Sequence, residues 1–211
     1  MPKAKQQPKK IEIEPFVEEA MKSDEALKKL VEALSNSSRR ERQVSSKAIY
    51  EIAKKDISRV EPFTKDIVDA LNRPEGQTRW EALMTLTLLI PTQSKECAKA
   101  IDAAVDALFD ENTGSLRLAA FVFLCKIGKT TATRSKSVWP DLDEAIQCYH
   151  GDVEFDDMLN ALVEFSQGKL DNGVKEGLAE RMRFDAETAR GNLQVKSKKI
   201  IDNVSDKGTS K

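Results

Sequence analysis

Three constellations in this sequence bring together side chains of the kinds that do chemistry. Gly128-Lys-Thr130, within KIGKTTATRSKS, has the ending of a phosphate-binding loop. Such a loop needs another glycine five residues earlier, so that the backbone wraps the phosphates, and it follows a strand. Phe123 stands at that place, inside an apolar run that reads as helix. Gly128 is better explained as the end of that helix, with a polar loop after it. Cys148-Tyr-His150 holds the single histidine of the sequence. One cysteine and one histidine supply at most two zinc ligands, and the nearby Asp152, Glu154, Asp156 and Asp157 spread over a helix start, where acids complement the helix dipole. A spacing of two on a helix also points the Cys and His side chains apart, against a nucleophile–base pair. The third constellation is a recurring set of carboxylates, Glu32, Asp69, Asp106, Glu144 and Glu176, which reads as a solvated row. The sequence thus predicts no catalytic, cofactor-binding or metal site.

The carboxylate row points to the elements beneath it. Leu30-Val-Glu-Ala-Leu34 returns as Ile67-Val-Asp-Ala-Leu71, Ala104-Val-Asp-Ala-Leu108, Leu142-Asp-Glu-Ala-Ile146 and, more weakly, Val174-Lys-Glu-Gly-Leu178, at spacings of 37, 37, 38 and 32. Each copy reads as the end of a helix with apolar residues at i, i+3 and i+4. Polar breaks follow (SNSSRRE, NRPEGQT, DENTGS), then second apolar helices expected to begin at Arg42, Arg79, Arg117 and Phe155, spaced 37, 38 and 38. Two helices in about 37 residues, repeated, are the mark of an α-solenoid, in which stacking supplies the core that one helical pair lacks.

Asp110-x6-Arg117 followed by Leu-Ala-Ala-x3-Leu124 resembles the HEAT-repeat pattern. Asn72 and Arg79 occupy the matching places one unit earlier, Asn36 and Arg42 do so less well, and Phe155 replaces the arginine in the fourth unit. The resemblance covers roughly residues 24–183. It implies an all-α fold: a right-handed α–α superhelix, a HEAT-like solenoid of about four to five helical-hairpin repeats with helical caps. It also implies that Arg42, Arg79 and Arg117, with turn acids such as Asp110, form a structural ladder between repeats. On this reading residues 1–13 are a disordered basic arm, 14–203 a single solenoid domain and 204–211 a flexible tail. A helix near Pro15–Met21 is expected to cap the first unit, and one or two amphipathic helices over Val174–Lys199 the last.

Counting from each helix-opening arginine as zero, positions +3, +4, +7 and +10 form the expected core lane: Ala82, Leu83, Leu86 and Leu89, then Ala120, Phe121, Leu124 and Ile127. Off that lane stand further apolar residues, Trp80, Met84 and Leu88, then Leu118, Val122 and Cys125. They serve either as extra core in closely wrapped helices or as a partly apolar groove on the concave face, which second helices line in arrays of this kind. Lys47 on one side and Asn160 on the other make a polar rim. The candidate partner-binding set is therefore Trp80, Met84, Leu118, Val122, Lys47 and Asn160, suited to a protein or peptide.

Composition narrows the function classes. Hydrophobic residues at 40% with charged residues at 33% describe a globular chain. The apolar runs fall short of the ~20 residues of a membrane span, and MPKAKQQPKK has no apolar core of a secretory signal. Three widely spaced cysteines read as reduced thiols, which with the preceding points predicts a cytoplasmic protein, monomeric or weakly dimeric. The net charge of −1 conceals a body of −8, offset by four lysines in residues 1–10 and a net +3 in residues 196–211. An acidic body disfavours a phosphate backbone. The alternative to a binding scaffold is a nucleic-acid-binding array resembling the alkylpurine DNA glycosylases built on HEAT-like repeats, with Trp80, Trp139 and Tyr50 stacking on bases.

Overall fold

The computed structural model describes residues 12–110 and 114–205, and it is helical throughout, with no strand among those residues. Most of the expected arm, three residues of the DENTGS break and the last six residues lie outside the described residues. A short helix α1 (Glu14–Lys22) is followed by five hairpins. These are α2 (Asp24–Ala33) with α3 (Arg39–Lys55), α4 (Thr64–Asp69) with α5 (Gly76–Cys97), and α6 (Ile101–Leu108) with α7 (Gly114–Gly128). The last two are α8 (Ala132–Cys148) with α9 (Phe155–Ser166), and α10 (Asn172–Thr188) with α11 (Gly191–Ser205).

Local chemistry starts these helices where the polar breaks fall. Ser23 accepts from the Ala26 amide and opens α2, Ser38 from Glu41 opens α3, and Thr131 from Arg134 opens α8. The second helices start one turn before the arginines, at Arg39, Gly76 and Gly114 rather than Arg42, Arg79 and Arg117, because the breaks supply their N-terminal turns. The weak fifth copy of the pentapeptide, Val174–Leu178, lies in the first turns of α10 instead of at a helix end. Val204, the first residue of the expected tail, is buried within α11.

The second helices pack on one another along the array, α3 on α5 on α7 on α9 on α11. Among the first helices, α2, α4, α6 and α8 touch their counterparts far less. The second helices thus form the continuous layer of the array. Every residue of the core lane on α5 and α7 is buried. Phe121, Phe123 and Phe165 are the largest fully enclosed side chains.

Gly128 ends α7 as expected, but for a different reason. Its φ is not positive. A Cβ there would stand 2.6 Å from Val138 Cγ2 and 3.0 Å from the Phe165 ring, so the residue is fixed by the close approach of α8 and α9. Two substitutions test this packing by urea unfolding. Phe121→Ala leaves a cavity in the centre of the array and is expected to cost about 3–5 kcal/mol. Gly128→Ala overfills its site and is expected to cost about 1–3 kcal/mol.

Candidate functional site

The arginines at the head of each second helix face carboxylates one repeat further on. Arg42 donates from Nη1 to the carbonyls of Asn36 and Ser37, at 2.6 and 2.9 Å, and from Nε to Glu75 Oε2 at 3.1 Å. Its Nη2 closes a second bond to the same carboxylate. Glu75 takes this place in the turn, not Asn72, which is exposed. Arg79 pairs with Asp110 at 2.8 Å. Arg117 lies 3.8 Å from Asp152 and stacks over the Tyr149 ring, whose hydroxyl donates to the Leu108 carbonyl at 2.9 Å. Where Phe155 replaces the arginine, His150 packs tilted against the Phe155 ring and meets Asp185 of α10 at 3.1 Å.

One helical step beyond each of these residues begins a stripe at positions +1, +5 and +9. On α5 it is Trp80, Met84 and Leu88; on α7 it is Leu118, Val122 and Lys126. On α3 it is Gln43, Lys47 and Glu51, and on α9 Asp156, Asn160 and Glu164. None of these twelve is buried, in contrast to the core lane on the far side of each helix. Trp80 packs edge-on against Tyr50, with ring centroids 6.3 Å apart. Trp80, Met84, Leu118 and Val122 are half-buried against the core, Leu88 is 40% exposed, and Asn160 is exposed with its amide near Asp157. Cys125, grouped with the off-lane residues, is instead fully packed, and burial pushes its thiol well up. The Cys97 thiol is likewise buried and pushed up to about 12, while Cys148 is exposed.

The stripe ends in a groove of about 1070 Å³ where α5, α7 and α9 terminate. Pro91 removes an amide from α5, and the helix kinks at Gln93, which opens this end. Leu88, Ile90, Pro91 and Leu170 supply apolar lining; Lys126, Lys129, Lys169 and Lys175 supply charge. Lys126 and Lys129 share Glu164, at 2.7 and 3.4 Å, and Lys126 is the chief cause that holds this carboxyl below its usual range. Lys169 and Lys175 form no ion pair among the described residues. The backbone sets the groove's depth: the Lys169 amide donates to the Lys129 carbonyl at 2.8 Å, and a Cβ on Gly168 would meet that oxygen at 2.6 Å. Sequence reading missed this site. Its signal was the offset of 40 residues between Lys129 and Lys169, about one repeat, which stacks them.

A smaller groove of about 510 Å³ lies at the other end, lined by Phe16, Leu30 and Val44, where α1 alone covers the first hairpin. No group of three or more potential metal ligands occurs among the described residues. No helix among them is long and apolar enough to cross a membrane.

No protein-family model matches the sequence, and no curated protein matches it. Solved structures do match in shape. An engineered protein aligns with a TM-score of 0.69 at 13% identity, over 93% of this chain and 90% of the other. A designed armadillo repeat protein in complex with the peptide (KR)4 aligns with 0.65 at 15% identity, over 91% of each chain. An archaeal HEAT-like repeats protein from Thermococcus onnurineus NA1 aligns with 0.56 at 16% identity, over 92% of each. The chain has the fold of the HEAT/armadillo-like repeat superfamily.

Two buried carboxylates of the α3–α5 interface respond to pH in opposite directions. Glu81 accepts from Ser46 Oγ at 2.6 Å, yet desolvation raises its pKa. With the folded value above the unfolded one, its contribution is present in acid and lost as pH rises through the folded value. Glu75 is lowered, chiefly by its bonds from Arg42, so its contribution is present above the unfolded value and lost as pH falls through the folded one. Melting curves are therefore expected to show Glu81→Gln stabilised at pH 7, with the gain shrinking as pH falls from the raised folded value to the ordinary glutamate range. Glu75→Gln is expected to be destabilised at pH 7, with the deficit shrinking as pH falls below the ordinary glutamate range toward the lowered folded value.

Proposed function

We propose that the protein is a cytoplasmic, non-enzymatic scaffold, monomeric or weakly dimeric, that holds a protein or peptide along the continuous layer formed by its second helices. The observation that carries this reading is the half-open apolar stripe Trp80, Met84, Leu118 and Val122 beside a fully buried core lane on the same helices. An apolar strip between polar flanks suits an amphipathic segment of a partner. Lys47 and Asn160, at the same +5 position on α3 and α9, form its rim. The designed armadillo repeat protein of the same fold binds a peptide, (KR)4, which supports this use of the architecture by analogy.

The nucleic-acid alternative is served less well. Arg42, Arg79 and Arg117 each face a carboxylate, and Trp80 lies edge-on against Tyr50. Affinity capture from native cytosol, wild type against Trp80→Ala/Leu118→Glu, tests the proposal. A protein retained by the wild type is expected to be lost by a variant that keeps its helical circular dichroism. Retention of every captured protein by the variant, or capture of nucleic acid in a salt-sensitive manner, counts against it.

A further inference from the structure

Resting on the scaffold reading, we infer that the groove at the end of the stripe receives an acidic peptide segment of the partner, its carboxylates on Lys126, Lys129, Lys169 and Lys175 and its apolar side chains on Leu88 and Leu170. Four lysines against one glutamate leave the lining strongly positive, in a chain whose body is net acidic. Lys126 and Lys129 already hold one carboxylate, that of Glu164, so the groove demonstrates the contact it would make with a partner's acids. Lys169 and Lys175 form no such pair among the described residues, and they line the same groove.

The groove is continuous with the stripe. Leu88 is the third stripe residue of α5 and Lys126 that of α7, and both line the groove. From Trp80 to Leu88 the stripe runs ~12 Å along the helix axis at 1.5 Å per residue. A segment of roughly ten residues would span stripe and groove together, apolar toward Trp80 and acidic toward Lys129.

The chemistry favours carboxylates on a peptide over phosphates of a nucleic acid. Arginine, with its bidentate fork, is absent from the groove lining, and lysine acts as a point charge. No aromatic ring lines the groove for bases to stack on, whereas aliphatic side chains make its floor. Beyond the groove, the acidic row Glu32, Asp69, Asp106, Glu144 and Glu176 is exposed on the first helices, and it repels any polyanion long enough to leave the site.

A random peptide library displayed on phage, selected on the full chain, tests this. The enriched peptides are expected to combine Asp or Glu with Leu or Phe. A synthetic copy of the most enriched one, labelled with fluorescein, is expected to bind roughly tenfold or more weakly to Lys169→Glu/Lys175→Glu and to lose affinity with added salt. Trp80→Ala/Leu118→Glu, assayed in parallel, reads the stripe separately. Should reversed charges disturb folding, Lys169→Gln/Lys175→Gln gives the same readout with a smaller loss. Enriched peptides without acids, bound equally by the lysine variant but lost by the stripe variant, overturn the acidic partner and leave the scaffold reading standing. Peptides insensitive to both variants, or no enrichment at all, overturn both. An oligothymidylate of matched length that binds more tightly than the peptide, and is lost by the lysine variant, overturns the inference in favour of nucleic acid.

Discussion

The inner second helices α5, α7 and α9 are each pressed between two others, and α5 and α7 are backed by α4 and α6. Three sides of α5 and of α7 must therefore be apolar and close-packed, and only a narrow strip is left for anything else. That constraint organises the rest of the molecule. It explains why α7 holds Phe121, Phe123, Leu124 and Cys125 within five residues, all buried. It explains the glycine at the end of α7, where helices from two hairpins converge on one point. It also confines polar chemistry to the places where helices begin and end.

At the beginnings, that chemistry is structural. The arginines satisfy loop carbonyls and carboxylates at once, so Arg42 alone ties the α2–α3 turn to the start of α5. Burying such groups is tolerable because nearly every donor has an acceptor. At the ends of α5, α7 and α9 the situation differs. There α5 kinks near Pro91, the short loop through Gly168 lies against Lys129, and the groove beside them carries lysines with aliphatic side chains.

The period of the array was plain in the sequence, because every hairpin repeats one packing problem and so repeats its apolar spacing. The core lane on α5 and α7 followed from that register, as did the capping helix before Ser23. Helix starts were read a turn late, since the residues between the breaks and the arginines are polar, while what makes them helical is hydrogen bonding by Ser38 and burial of Glu75. Asn72 stands at the place that Asp110 holds one repeat later, and spacing alone does not reveal that the chain reaches Arg42 only at Glu75. The stripe was legible as apolar residues out of register, but not how open it is. That depends on neighbours 37 or 38 residues away. The lysine groove escaped notice because its walls come from four helices, and the stretch around Lys129 drew attention only as a failed phosphate loop.

The main-chain bond from Lys169 to the Lys129 carbonyl has a thermodynamic consequence. It joins the turn after α7 to the turn after α9, so two of the four cationic side chains are mounted on backbone already locked together by folding. Loop-borne sites usually surrender backbone entropy when a ligand arrives. Here that ordering belongs to the folding transition. Only side-chain torsions are left to settle when the groove is filled, and a short segment with few contacts can be held by a site that needs no rearrangement of its walls.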